Sequence, residues 1–297
     1  MKKKFSQMRV TSSCNAAGDS PALHFLYRTA PGRIFLKGLV HPVISRMAGC
    51  YLSSHASKWL VPYYIRKHGI DMTGVEIPPE GFASFNDFFT RKRTELPCRG
   101  GQNALVSPCD GWLRVEEIRD TTVLMVKAAR FSLEDLLEDK ALAEQFRDGT
   151  ALVFRLTPAD YHRYCYAAGG QVLAEKKIAG RLHCVRPIAL REVPVFVQNS
   201  REYRVIRTER FGTVVQMEVG ALLVGKIKNH DRGLNLNNVQ QGAEKGYFEF
   251  GGSTIVLLLP KDMVRISLKG AREKNGTGEV RVRMGQRIAT HNAAGVF

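Results

Sequence analysis

From about residue 105 onward, apolar and polar positions alternate in short runs with the two-residue period of strands. The pattern predicts strands at Gly111–Val115, Thr122–Val126 and Ala151–Leu156, and further strands at Val193–Val197, Thr213–Val219, Ala221–Ile227, Thr254–Leu259 and Val280–Met284. One helix is predicted to interrupt them, with Ser132 as N-cap, Asp135 reaching back, and Leu133, Leu136, Leu137 and Ala141 on its apolar face. Earlier in the chain the texture differs. Between Ala22 and about Lys67, residues such as Phe25, Ile34, Phe35, Leu36, Trp59 and Tyr63 are interleaved with basic ones, and breaks are expected at Pro31-Gly32, Pro42 and Pro62. Short amphipathic helices with basic polar faces fit that pattern and suit a membrane interface, although the same helices could simply cap the core. Ile77-Pro78-Pro79-Glu80-Gly81 reads as a linker or turn, and Ser84 should cap a short helix with Asp87 placed as in a capping box. The expected fold is α+β, with N-terminal amphipathic helices followed by a β-rich body of mostly antiparallel strands. Residues 1 to about 20 read as disordered.

One stretch combines these patterns unusually. Gly246-Tyr247-Phe248-Glu249-Phe250 approaches Gly251-Gly252-Ser253-Thr254, which runs into the wholly apolar Ile255–Leu259. A Gly-Gly hairpin or bulge leading into a core strand accounts for it. A second reading makes Ser253 a nucleophile aimed at the Gly252 carbonyl, since glycines remove the Cβ atoms that would obstruct approach.

Charge narrows the partners. With 44 Lys/Arg against 28 Asp/Glu the formal net charge is +16, which favours an anionic membrane or a nucleic acid. From Met1 to Lys67 Asp19 is the single acid among many cations, and the sequence carries no RNP-type, KH-type or zinc-finger signature. A membrane is therefore favoured and no nucleic acid is expected. The six cysteines at 14, 50, 98, 109, 165 and 184 form no Cys-x-x-Cys pair, which suggests reduced thiols in a cytosolic compartment. No apolar run approaches the ~18 residues that span a bilayer, and Lys2-Lys3-Lys4 followed by a polar stretch argues against a secretory signal.

Three residues could share one piece of chemistry. Asp110, in Ser107-Pro108-Cys109-Asp110-Gly111, is by itself a turn residue. His162 follows a buried strand within Thr157-Pro158-Ala159-Asp160-Tyr161-His162-Arg163-Tyr164-Cys165, where it could equally be structural. With Ser253 they supply the acid, base and nucleophile of a triad, which only geometry can establish. A hydrolase using them on an external ester stays open, although Gly-x-Ser-x-Gly is absent. His162, Cys165, His183 and Cys184 match no common structural-zinc spacing, and no metal is expected.

Taken in order, the motifs resemble the phosphatidylserine decarboxylase family from about Phe82 to the C-terminus. Phe85-Asn86-Asp87-Phe88-Phe89-Thr90-Arg91-Lys92, Ser107–Gly111, Asp160–Arg163, Val195–Asn199 with Arg201-Glu202, Val219-Gly220-Ala221 with Val224–Ile227, and Gly252-Ser253-Thr254 each resemble a family segment. The resemblance implies a proenzyme cut between Gly252 and Ser253, giving a β chain of residues 1–252 and an α chain of residues 253–297. In that reading His162, oriented by Asp110, deprotonates Ser253, and residue 253 becomes a pyruvoyl group. This covalent cofactor would take the amine of phosphatidylserine as a Schiff base and act as electron sink for loss of CO2, with His162 returning the proton. Residues 1–76 would form a basic membrane-associating region and residues 77–297 the decarboxylase domain, held at the cytoplasmic face of the cell membrane, with a homo-oligomer possible. One departure stands out: many members carry a second histidine three residues after the first, where this chain has Cys165.

Overall fold

The computed structural model of the protein describes residues 21–95, 100–101, 103–119, 124–126, 129–183, 195–221, 226–230, 238–250, 253–268 and 278–292. The N-terminal segment expected to be disordered, Gly251-Gly252, and the cysteines at 14, 98 and 184 lie outside them.

Eight helices are present among the described residues: α1 (Pro21–Arg28), α2 (Ala30–Leu39), α3 (Pro42–Leu52), α4 (Leu60–His68), α5 (Phe85–Phe89), α6 (Leu133–Leu137), α7 (Lys140–Glu144) and α8 (Val195–Gln198). Breaks fall at Pro31 and Pro42 as expected, each proline standing at the start of the helix that follows, and Pro62 is the third residue of α4. Thr29 and His41 cap α2 and α3, and Pro31 and Pro42 fall in the first turn, where a missing N–H costs nothing. Ser84 caps α5 by accepting from Asp87 N at 3.1 Å, while the Asp87 carboxylate accepts from Ala83 N at 2.9 Å.

The strands are β1 (Ala104–Val106), β2 (Gly111–Glu117), β3 (Leu124–Val126), β4 (Ala129–Phe131), β5 (Thr150–Leu156), β6 (Arg163–Cys165), β7 (Gln171–Ile178), β8 (Arg201–Arg207), β9 (Thr213–Val219), β10 (Ile227–Asn229), β11 (Glu244–Phe248), β12 (Ser253–Leu259), β13 (Val264–Ile266), β14 (Val280–Val282) and β15 (Arg287–His291). A seven-stranded sheet in the order β14-β2-β5-β12-β9-β8-β7 forms the body, and all its pairings are antiparallel. Its middle strand is β12, buried along its whole length between β5 and β9. A strand apolar on both faces belongs at such a centre, because either edge would leave half of it in water. The three-stranded sheet β10-β11-β6 is linked by side chains to one face of the body, and β1-β15-β13 forms another small sheet. This is an α+β fold.

Several sequence expectations are corrected. Residues 195–198 form a helix turn rather than the end of a strand, with Val195 and Phe196 buried; residues 193–194 lie outside the description. Most of the strand expected at Ala221–Ile227, residues 222–225, lies outside the described residues, and Ile227 opens β10. The helix after Ser132 is two helices. Glu138, at φ 48°, ends α6 and Asp139 caps α7, so Ala141 is exposed while Leu142 and Ala143 are buried.

Two cores cross the boundary placed at residue 76. Tyr27, Leu36 and Val40 pack into the core of the central sheet. Val61 and Ile70 pack with Phe82, Phe85, Phe88 and Phe89 in a second cluster, which Phe250 joins. The outer surface of the N-terminal helices is apolar to an unusual degree: Phe25, Ile34, Phe35, Met47, Trp59 and Tyr63 are all exposed. No helix among the described residues is long and apolar enough to cross a membrane.

Candidate active site

Register places the site. Ser253 opens β12 and pairs with Leu156, the last residue of β5. The chain leaves β5 through a tight turn and re-enters a strand at Arg163, so the intervening His162 returns against Ser253. The turn is tied by Asp160, whose carboxylate accepts from Thr157 N at 2.5 Å and from Thr157 Oγ1 at 2.7 Å, while Asp160 N donates to Thr157 O at 3.0 Å. The other Asp160 oxygen is paired with Arg281.

His162 and Ser253 are both fully buried, and Ser253 Oγ lies 3.3 Å from His162 Nδ1. The opposite ring nitrogen, Nε2, is 3.1 Å from the Thr157 carbonyl. A carbonyl can only accept, so Nε2 carries the proton and Nδ1 presents its lone pair to the serine hydroxyl. Burial is the main cause that lowers the pKa of His162 to about 4; Asp160 opposes it, Arg91 adds to it, and the Thr157 carbonyl opposes it. The imidazole is therefore neutral at physiological pH, with the tautomer a general base needs. The Phe89 ring lies over it, with centroids 4.0 Å apart and planes 30° apart.

The helix α5 reaches the approach to the Gly-Gly pair. Phe250 N donates to Asn86 Oδ1 at 3.1 Å, and the Phe250 ring packs edge-on against Phe85 and Phe89. The chain is thus gripped on both sides of residues 251–252, by Asn86 before them and by the β12 ladder after them.

Asp110 is not the acid beside His162. Its carboxylate pairs with Arg93 at 2.7 Å and accepts from Met284 N at 2.9 Å. The orienting contact expected from Asp110 is made by the Thr157 carbonyl, and the acid behind that carbonyl is Asp160. Asp160, Thr157 and Asn86 make contacts at the site that their residue types alone do not signal, although all three stand inside the stretches singled out in the sequence. Cys165 is buried, with Sγ 3.8 Å from the Ser107 carbonyl, and the imidazole within hydrogen-bond distance of Ser253 is that of His162. Burial raises the neighbouring Cys109 thiol well above its ordinary pKa. Among the described residues Cys50 is exposed and Cys109 and Cys165 are buried, and no group of three His, Cys, Asp or Glu side chains could hold a metal.

Comparison with known proteins places the chain in a family. A profile of the phosphatidylserine decarboxylase family matches residues 85–290. Phosphatidylserine decarboxylase proenzyme 2 of Clostridium acetobutylicum is 39% identical over 273 residues, covering 91% of this chain and 92% of its own. The phosphatidylserine decarboxylase proenzymes of Ruminiclostridium cellulolyticum and Fusobacterium nucleatum are 39% and 35% identical, covering 82% and 90% of both chains respectively. The chain belongs to the phosphatidylserine decarboxylase family.

Proposed function

We propose that this protein is a proenzyme that cuts itself at Gly252-Ser253 and then decarboxylates phosphatidylserine to phosphatidylethanolamine. The observation that carries the proposal is a serine hydroxyl with no exposed surface, 3.3 Å from the unprotonated nitrogen of a neutral histidine. In the uncut chain a nucleophile so enclosed lies beside its own backbone, which favours self-cleavage over the hydrolase reading. His162 takes the hydroxyl proton as Ser253 Oγ attacks the Gly252 carbonyl carbon. The C–N bond breaks, an ester forms, and the freed amino group of residue 253 receives a proton. Elimination across Cα–Cβ of residue 253 expels the Gly252 carboxylate. Hydrolysis of the resulting enamine releases ammonia and leaves an N-terminal pyruvoyl group.

The residues around position 253 fit such a group: it needs no metal, and its site is walled by Phe89 and an imidazole that can give and take a proton. The pyruvoyl group supplies an electron sink for the charge left when CO2 departs. His162 then holds the proton to be returned to the substrate carbon, and Phe89 and Phe250 help exclude water. After cleavage, residues 253–297 stay in place through the β12 ladders, the Arg281–Asp160 and Glu279–Arg155 pairs, and the hydrogen bond from Met284 N to Asp110.

The exposed apolar side chains of α1–α4, among the exposed cations Arg28, Arg33, Lys37, Arg46, Arg66 and Lys67, support peripheral docking on an anionic membrane. A net charge of +16 and six cysteines with no Cys-x-x-Cys pair favour the cytoplasmic face. Replacing Ser253 by Ala tests the proposal. The variant should stay full-length and release no CO2 from carboxyl-labelled phosphatidylserine vesicles. Normal processing of that variant would move the nucleophile elsewhere.

A further inference from the structure

Between the central sheet and the sheet β10-β11-β6 lies a buried polar network with no part in the chemistry above. Glu218 on β9 faces the same side as its β12 partner Ile255, two residues along from Ser253. Its carboxylate is paired with Lys245 on β11, and neither side chain has any exposed surface. Lys245 Nζ also donates to Asn229 Oδ1 at 3.1 Å, which accepts from Tyr164 OH at 3.1 Å as well. Asn229 Nδ2 donates to Glu202 on β8 at 3.1 Å. Gln216, also on β9, donates to the Cys165 carbonyl at 3.0 Å and accepts from Ala167 N at 3.1 Å.

The local backbone is shaped to allow this. Glu244 lies opposite Cys165 and Gly246 opposite Tyr164, so Lys245 is the extra residue of a β-bulge. A bulge re-aims the side chains on either side of it, and here the Lys245 side chain is fully buried. At Gly246 a Cβ would sit 2.1 Å from the Lys228 carbonyl and 2.9 Å from the Tyr164 hydroxyl, so glycine is required there. Burial lowers the Lys245 pKa and raises that of Glu218, each opposed by the partner's charge. A buried pair of this kind is a poor source of stability compared with apolar packing, which leaves specification of geometry as its use.

Strand β6 begins immediately after His162, and β11 carries Phe248, whose N–H donates to the His162 carbonyl at 2.9 Å. Both strands are pinned to β9 through Lys245–Glu218 and Gln216, and β9 is laddered to the strand that Ser253 opens. We propose that Lys245 and Glu218, with Tyr164 and Asn229, are positioning residues that fix His162 against Ser253 by stapling the two sheets at one register. This rests on the assignment of His162 and Ser253 above.

The test is the first-order rate of self-cleavage in a cell-free translation chase, with melting temperature measured on the uncut Ser253→Ala background. Lys245→Met should slow cleavage about tenfold or more, because displacements near 1 Å at a reacting pair cost up to ~100-fold. Lys245→Met with Glu218→Gln removes the uncompensated charge, so the melting temperature should recover while cleavage stays slow. Tyr164→Phe is the milder variant and should slow cleavage severalfold with the fold intact. Cleavage that recovers together with the melting temperature, or Tyr164→Phe and Lys245→Met chains that fold and cut at the wild-type rate, would overturn the inference. A Ser253→Ala chain that still cuts would instead overturn the assignment beneath it.

Discussion

The N-terminal helices and the interior around Ser253 each reverse the ordinary distribution of residues, in opposite senses. On α1–α4, Ile34 is 72% exposed and Phe35 66% exposed, while Lys245 and Glu218 beneath the central sheet have no exposed surface. Apolar groups in water and charges in the interior both raise the free energy of an isolated domain. Each becomes intelligible through a partner: a lipid surface for the helices, and a register to be enforced for the buried charges. The two arrangements divide the work in the proposed function. There the helices deliver the protein to its substrate, and the polar interior aligns a base with a nucleophile.

The largest effect is expected at the base. His162→Gln should slow self-cleavage by about 100- to 10,000-fold, the range for loss of a positioned general base, with vesicle binding unchanged. Densitometry of cut and uncut chains, alongside vesicle co-sedimentation, checks both halves. A base supplied by another group would leave cleavage near normal.

Ile34→Ser with Phe35→Ser should do the reverse. Each large apolar side chain contributes up to about 1.5–3 kcal/mol when fully buried, so affinity for anionic vesicles should fall about ten- to a hundredfold while self-cleavage is untouched. Turnover of a short-chain, monomeric phosphatidylserine should also persist. Equal loss on vesicles and on monomeric substrate would show that the helices serve the fold rather than the membrane.

A smaller effect is expected at Asn86. Replacing it by Ala removes the hydrogen bond that steadies Phe250 ahead of the cleavage point, worth about 1 kcal/mol, so cleavage should slow roughly fivefold. The pH response refines the role of His162 further. Its folded pKa is about 4 against an ordinary 6.5, so between those values the unfolded chain binds a proton that the folded chain does not. That contribution to stability is complete above about 6.5 and is lost as pH falls toward 4. The acid limb of the cleavage rate should centre near 4, and a limb near 6.5 would mean that the working imidazole is solvated.

Much of this was legible from residue order alone. The apolar run Ile255–Leu259 announced a central strand, Ser84 and Ser132 announced helix starts, and the interleaving of Phe, Ile and Trp with Lys and Arg announced an unusual surface. Strand-like triplets failed at Val195–Val197, where helical backbone buries the same apolar side chains a strand would. At Glu138 a non-glycine residue adopts positive φ, which no composition rule signals, and one helix became two. The orienting partner of His162 was illegible for a deeper reason. It is a backbone carbonyl, at Thr157, and backbone atoms leave no mark in a sequence. Asp110 offered the residue type a triad needs, yet it pairs with Arg93 and with the backbone of Met284, far along the chain.

Intact-mass spectrometry of catalytically active protein tests the central claim most directly. The account predicts two polypeptides, the smaller comprising residues 253–297 with a pyruvoyl group in place of its first amino acid. Active material consisting of one uncut chain, with an ordinary serine at 253, would contradict it.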